Sequence, residues 1–503
     1  MKTLSVAVVL LLALALPNTM VGDENVTNSK PVLLPVKNDP TISFRIWFRV
    51  GSQNDPAGKE GLASVTAAML SDASTEKNSY STILEKLYPL ATSYNASAST
   101  EMTVFYGRTH KDNGSQFYTL FMDALLAPAF KQEDLDRIKS QTLNYIENTL
   151  RYASDEELGK AILYNEMFKN TPYGHILAGT SESVKSITVD DVRSFYKKYY
   201  TKDNLVIGLG GGYSPDLLAA LKKDLGKLPA GAPKTLPASK PKHLEGFDIT
   251  IIEKDAASTA ISMGFPIKAL RGTKDWYALA IANSWLGEHR NSSSHLYQVI
   301  REERGLNYGD YSYIEHYPNG GQRQLPPQNV CRRQQIFEIW IRPVPNETRH
   351  FALRAALHEF KNLAENGMTK NDFELTRNFL SKYVLHYAPT TMERLAYALD
   401  DRFYGLTASH LETYRKMMKT LTLGDVNASI NKHWKYGSME VAIVTKDAKG
   451  FKEALLKDSP SPIKYSTPKA EKVLTEDKEI IAFPIKVKEE NIRIVPVADL
   501  FVR

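Results

Sequence analysis

Three groups of residues in this chain invite a chemical reading. The first is histidine. Two imidazoles at i and i+4 share a helix face and can chelate one ion. The candidates do not show that pattern. WLGEH ends in adjacent Glu288 and His289, which point to different helix faces. His350 and His358 lie eight apart on an apparent helix, and His110, His175, His295 and His316 have no chelating spacing. A metal site needs three convergent ligands, so these residues read as structural or exposed. The second group is REERGLNY, in which Arg301 and Tyr308 stand seven apart. By spacing alone the Arg is a solvated helix residue and the Tyr packs at a sheet edge. The third is the run GLASVTAAMLSDAS, from Gly61 to Ser74, a small, apolar, helical stretch without imidazole or thiol.

These groups must be positioned by a large scaffold. A length of 503 residues argues for two or more domains. Hydrophobic residues make up 43% and charged residues 24%, as in ordinary globular proteins. The formal charge of +6 is small for this length and no long basic run occurs, which gives nucleic-acid binding little support. Cys331 is the only cysteine, so an internal disulfide and a four-thiolate zinc site are excluded. Lys2 followed by the apolar stretch Leu4 to Leu16 reads as a removable export signal, residues 1–22, ending near Gly22. A stretch of thirteen residues, apolar but for Ser5, is too short to span a bilayer, and no other segment is long enough, so no membrane span is expected. Export without disulfides fits a bacterial periplasm. Asn-x-Ser/Thr triplets at Asn25, Asn95 and Asn346 carry little weight.

The chain divides near LPAGAPKTLPASKPKHLEG, from Leu228 to Gly246, which has linker composition. The flanking halves repeat one pattern. SITVDDVRSFYKKYYTKDNLVIGLGG from Ser186 matches TLTLGDVNASINKHWKYGSMEVAIVT from Thr420 at an offset of 234. Thr188 falls on Thr422, Asp191 on Asp425, Val192 on Val426 and Tyr200 on Trp434. Each copy predicts a Thr-capped helix leading to an apolar strand. KQEDLDRIKSQTL and TKNDFELTRNFL predict a long amphipathic helix in each half. ISFRIWFRV and STEMTVFYGRT in the first half, and ITIIEKD, TAISMGFP and QIFEIWIRPV in the second, predict strands. The expected fold is α+β: two homologous halves, each a mostly antiparallel sheet flanked by helices. The expected domains are residues 23–230, a linker at 231–246, residues 247–465, and a C-terminal β extension at 466–503 built on EIIAFPIKV and NIRIVPV. EHYPNGGQRQLPPQNVCRRQQ, 315–335, reads as a basic loop through Arg323, Arg332 and Arg333, either able to attract acidic peptide segments or simply solvated.

GSQNDPAGKEGLASVTAAML resembles the signature of the pitrilysin/insulinase-like zinc peptidases, in which a strand, a turn and Gly-Leu-Ala precede H-x-x-E-H. TPYGHILAGT at Thr171 is similar to that family's Pro-Tyr-Gly segment. In such a site zinc lowers the pKa of its bound water to about 7. The resemblance places the first His position at Ser64, the Glu position at Ala67, the second His position at Ala68 and the distal Glu position near Tyr145, with Glu147 close by. None of those four residues ligates zinc. The resemblance further implies that Arg301 holds substrate carbonyls and that Tyr308 donates a hydrogen bond to the developing oxyanion, with Arg304 a competitor for the first role. In two-chain members of the family one chain carries the zinc helix and the other the Arg–Tyr pair. The expectation is therefore a non-catalytic, substrate-binding subunit of a heterodimeric zinc peptidase. It binds no cofactor itself; zinc and base come from a homologous H-x-x-E-H partner, and peptides are the substrates. The alternative is a structural or peptide-holding pseudoenzyme without a role in proteolysis.

Overall fold

The computed structural model describes residues 30–503. The expected export signal and Asn25 lie outside the described residues.

Eleven strands form two sheets among the described residues. The first-half strands are β1 (Val32–Pro35), β2 (Thr41–Phe48), β3 (Ser93–Ala98), β4 (Thr103–His110) and β5 (Leu205–Gly211). The second half supplies β6 (Phe247–Glu253), β7 (Ser258–Ile267), β8 (Asp310–Tyr313), β9 (Gln335–Pro345), β10 (Met439–Thr445) and β11 (Ile492–Pro496). The orders are β1-β5-β2-β4-β3 and β11-β6-β10-β7-β9-β8. In the first sheet β5 inserts between β1 and β2, and in the second β10 inserts between β6 and β7, each parallel to the former neighbour and antiparallel to the latter. The second sheet is the first with β11 added in parallel beside β6.

The repeated segments fold alike. Thr188 and Thr422 cap helices Val189–Tyr199 and Leu423–His433. Each threonine hydroxyl accepts the backbone N–H of the acid three residues on, Asp191 or Asp425, at 3.2 Å. Each acid in turn accepts the threonine's own N–H. Such reciprocal capping satisfies two backbone donors that the helix cannot. Val192 and Val426 are fully buried beneath these helices.

Packing does not divide at the linker. The first-half helix Asp155–Met167 lies on the second sheet, its Leu158, Ile162 and Leu163 in one cluster with Ile252, Ala260, Ile336 and Val444. In return the second-half helix Thr391–Phe403 covers the first sheet, with Leu399 and Phe403 against Trp47, Val104 and Val206. The Trp47 and Phe403 rings are 5.9 Å apart. Each half thus lends a helix to the other's sheet. The two are joined by apolar burial, the dominant favourable term in folding.

Two sequence expectations change. EIIAFPIKV is not β structure: Glu479–Ile481 end the helix Glu471–Ile481, and an irregular stretch follows. Val473, Asp477 and Ile480 are buried at helical spacing, so the local pattern is one helix face. NIRIVPV does form β11. The 315–335 loop is not a solvated basic patch. Arg332 is 2% exposed. Arg333 pairs with Glu101 of the first half at 2.6 Å, and Asn329 bonds Asp400 and Arg45. The loop threads between the halves and ties them together.

Candidate functional site

The helix Leu62–Ser71 is set by the turn before it. The carboxylate of Asp55 accepts the N–H groups of Gly61 (2.8 Å) and Ala63 (2.7 Å), which would otherwise be orphaned at the helix start. Burial pushes the Asp55 carboxyl up against those two hydrogen bonds. His175 lies beside it, Nε2 at 3.1 Å from the Ser52 carbonyl. The segment after Gly174 docks on the same helix start by backbone contact. A Cβ on Gly61 would sit 2.5 Å from the Ala178 oxygen, and one on Gly179 only 1.9 Å from the Glu60 oxygen, both at positive φ. Only glycine allows this approach.

Ser64 donates to the Leu177 carbonyl at 2.6 Å. Ser64 and Ala68 face a cavity of about 450 Å³, while Ala67 is 2% exposed and does not line it. Tyr145 reaches the same cavity from across it. Tyr145 opens a π-helical stretch, Tyr145–Ala153, that continues the helix Gln132–Asn144. Such wide turns recur at functional sites. The structure therefore brings Ser64, Ala68 and Tyr145 to one space. Glu147 pairs with Lys185 at 3.4 Å and does not line it. A hydroxyl already donating to a carbonyl, two methyl groups and a phenol do not fit a zinc ion, which takes imidazole, thiolate or carboxylate. Among the described residues no group of three or more His, Cys, Asp or Glu converges to hold a metal.

Of the rest of the cavity wall, the sequence names His316 only as a histidine without chelating spacing and Arg332 only as part of a basic loop, and it does not single out Lys160. Lys160 enters from the helix Asp155–Met167 and is 1% exposed. It donates to the Tyr317 carbonyl at 2.5 Å and lies 4.7 Å from the Trp340 ring and 4.8 Å from the Tyr313 ring. Arg332 stacks on Phe168 (4.8 Å) and Tyr173 (5.0 Å). His316 meets the Tyr164 ring edge-on at 4.6 Å. Burial, with Arg332 and Lys160 adding to it, drives the His316 pKa well down, so the ring is neutral. Tyr164 donates to Glu338 at 2.5 Å, whose carboxyl burial raises. One signal of Lys160 was legible: it shares a helix face with Leu163 and Met167 at i+3 and i+7, an apolar face that a lone cation interrupts.

Arg301 and Tyr308 sit elsewhere, before the edge strand β8. Arg301 belongs to a second π-helical turn, Tyr297–Glu302; its side chain is 36% exposed and contacts Glu302 at 3.4 Å. Tyr308 is 77% exposed. The turn that presents them is firm. Gly305 N–H bonds the Arg301 carbonyl (2.8 Å), and Asn307 donates to Asp310 (2.8 Å) and to the Arg342 carbonyl (3.0 Å). Arg304 is the anchor: its side chain is fully buried and paired with Asp477 (2.9 Å) and Glu476 (3.3 Å) of the helix Glu471–Ile481. Lys469 caps the Glu303 carbonyl at 2.6 Å. The C-terminal extension thus holds the Arg–Tyr turn, and Arg304 is occupied by that task. Glu288 and His289 do not act together: burial takes Glu288 up to about 7 and His289 down to about 4, and His289 bonds Tyr313 and the Arg323 carbonyl.

A duplicated α+β unit, one copy holding the helix Leu62–Ser71 beside a cavity and the other an exposed turn with Arg301 and Tyr308, makes up the scaffold. The chain belongs to the insulinase-like peptidase family M16. The model described as Insulinase (Peptidase family M16) matches residues 32–181, and that described as Peptidase M16 inactive domain matches residues 186–380. A non-peptidase homolog, YmxG, of Helicobacter pylori is 26% identical over 82% of this chain and 90% of its own. An uncharacterized zinc protease of Streptomyces coelicolor is 24% identical over 66% of this chain and 69% of its own. The crystal structure of a peptidase M16 inactive domain from Pseudomonas fluorescens superposes with a TM-score of 0.72 at 24% identity, covering 82% of this chain and 94% of that one.

Proposed function

We propose that this chain is the non-catalytic, substrate-binding subunit of an exported, heterodimeric zinc peptidase, working in a bacterial periplasm. Zinc and the general base come from a homologous partner bearing H-x-x-E-H. The observation that carries this reading is the contrast between the two sites. The positions matching the zinc motif hold Ser64, Ala67, Ala68 and Tyr145, whereas Arg301 and Tyr308 are intact, exposed and rigidly mounted. Arg301, neutralised only by a solvated contact to Glu302, is free to engage peptide carbonyls. The Tyr308 hydroxyl is available to donate to the oxygen that becomes negative as the peptide is attacked. A donor aimed at developing charge lowers the barrier by about 3–4 kcal/mol.

The test is reconstitution. The pure chain is expected to leave peptides intact, and mixing it with an H-x-x-E-H subunit from the same host is expected to produce cleavage. Arg301→Ala and Tyr308→Phe are expected to suppress that cleavage without preventing assembly. Cleavage by the partner alone at the full rate, unaffected by either substitution, establishes the structural or peptide-holding alternative instead.

A further inference from the structure

The second half holds a smaller, partly open cavity that neither the helix Leu62–Ser71 nor the Arg301 turn borders. It measures about 70 Å³, and aromatic side chains dominate its wall, among them Trp276, Tyr317, Tyr387 and Tyr414. Glu288 lines it from the end of the helix Lys274–Gly287 and is 9% exposed. Its carboxylate has no ion-pair partner among the described residues. The Ser284 hydroxyl is near enough to favour the charged form but makes no hydrogen bond of normal geometry. Asn283 Oδ1 and Ser284 Oγ are sealed from the cavity, whereas the Glu288 oxygens keep accessible surface. The other charges on the wall are engaged. Arg271 is held by Glu315 at 2.8 Å and by Asp400 at 3.0 Å, and Glu315 also accepts the Trp276 indole N–H at 3.0 Å. His289 and His410 are neutral, because burial drives both pKa values down. Glu288 and Glu315 thus stand against Arg271, and the ionised wall is net negative. Ser312 and Gln324 add neutral polar groups, and Ala280, Ile314 and Pro326 apolar ones.

We propose that this cavity binds a primary ammonium group, its charge paired with Glu288 and its short alkyl stem against the surrounding rings. A carboxylate taken out of water without a partner is costly, and an entering cation offsets that cost. Aromatic side chains attract an organic ammonium and pack against its carbons. The donor set does not suit a divalent metal. Glu315 is engaged by Arg271 and Trp276, so one free carboxylate remains where calcium takes about six or more oxygens. The same chemistry is offered by a free small amine and by the amino terminus of a peptide whose chain leaves past the exposed Gln324.

The experiment uses the purified full chain without any partner subunit, so its outcome is separate from that of reconstitution. Ligand-observed NMR titrations compare propylammonium with 1-propanol, and alanyl-leucinamide with its N-acetyl form. The expected result is saturable binding of a cation, about tenfold or more tighter than its neutral counterpart. Tighter binding of the peptide identifies a chain terminus as the ligand source; equal or tighter binding of propylammonium identifies a small amine. Glu288→Gln keeps the shape, removes the charge and weakens binding about tenfold or more. Should that variant fail to fold, the parent supplies a second readout. Glu288 ionises at about 7, so propylammonium, charged throughout, binds about tenfold tighter at pH 8 than at pH 6. Tyr317, Tyr383, Tyr387 and Tyr414, which face Glu288 from other elements, stay neutral over that range, as does His289 beside it. Arg271 and Glu315 remain paired, and Asp401, also at about 7, accepts the His410 N–H outside the cavity wall. The proposal is overturned if neither cation binds, if each binds like its neutral counterpart, if Glu288→Gln binds as the parent does, or if affinity does not change with pH.

Discussion

Among the described residues the chain has two π-helical stretches, and they sit in opposite surroundings. Tyr145–Ala153 borders a partly open cavity that Ser64 and Ala68 also line, with Lys160 and Arg332 in its wall. Tyr297–Glu302 presents Arg301 toward solvent, and the next turn presents Tyr308. The first region is complete within one chain. The second has donors aimed outward and nothing in the chain for them to act on. The architecture of the first region is held by buried contacts. Asp55, the Gly61–Gly179 approach and the Ser64 hydrogen bond position the helix Leu62–Ser71.

The sharpest way to break this comparison is at the anchor of the exposed turn. Arg304→Ala strands Asp477 in a buried setting and is expected to cost about 3–5 kcal/mol in chemical denaturation. A variant as stable as the parent shows that the helix Glu471–Ile481 does not hold the turn. Arg301→Ala and Tyr308→Phe, in contrast, change stability by no more than about 0.5 kcal/mol, since both side chains are solvated. In the reconstituted peptidase they lower kcat about 10²- to 10³-fold. A large loss of stability from either places them in the fold rather than in substrate binding.

Next in size is the helix Leu62–Ser71. Ser64→Ala removes one hydrogen bond to the Leu177 carbonyl and is expected to cost about 1 kcal/mol, read as a shift in the denaturation midpoint. No change shows that the cavity rim is not tensioned through Ser64. A further effect is acid-dependent. Burial alone raises the Glu359 carboxyl, but hydrogen bonds from His295 (2.6 Å) and His358 (2.8 Å) outweigh it and bring the pKa to about 2. His295 stacks on Trp285 just before the Arg301 turn. A depressed carboxylate binds fewer protons folded than unfolded, so its stabilisation is present above pH 4.5 and fades as pH falls toward 2. The stability gap between the parent and Glu359→Gln is expected to narrow over that window; a gap that is constant with pH removes Glu359 from the account.

The sequence by itself determined the duplication, because capping threonines, first-turn acids and apolar strands are local patterns, and Thr188 and Thr422 cap helices of the same length in equivalent places. Residue identity is likewise a matter of sequence alone: Ser64, Ala67 and Ala68, the positions that the resemblance assigns to a zinc motif, carry no imidazole, thiolate or carboxylate. The tertiary structure alone decided which residues share a space. Lys160, His316 and Arg332 are separated by more than a hundred residues of chain at their widest, and no local period links them. The same holds for the exchange of helices between the sheets, for the conversion of a basic loop into a buried tie, and for Arg304 meeting Asp477. Burial and ion pairing act through space, so a one-dimensional pattern records them only where a charge, as at Lys160, breaks an otherwise apolar face.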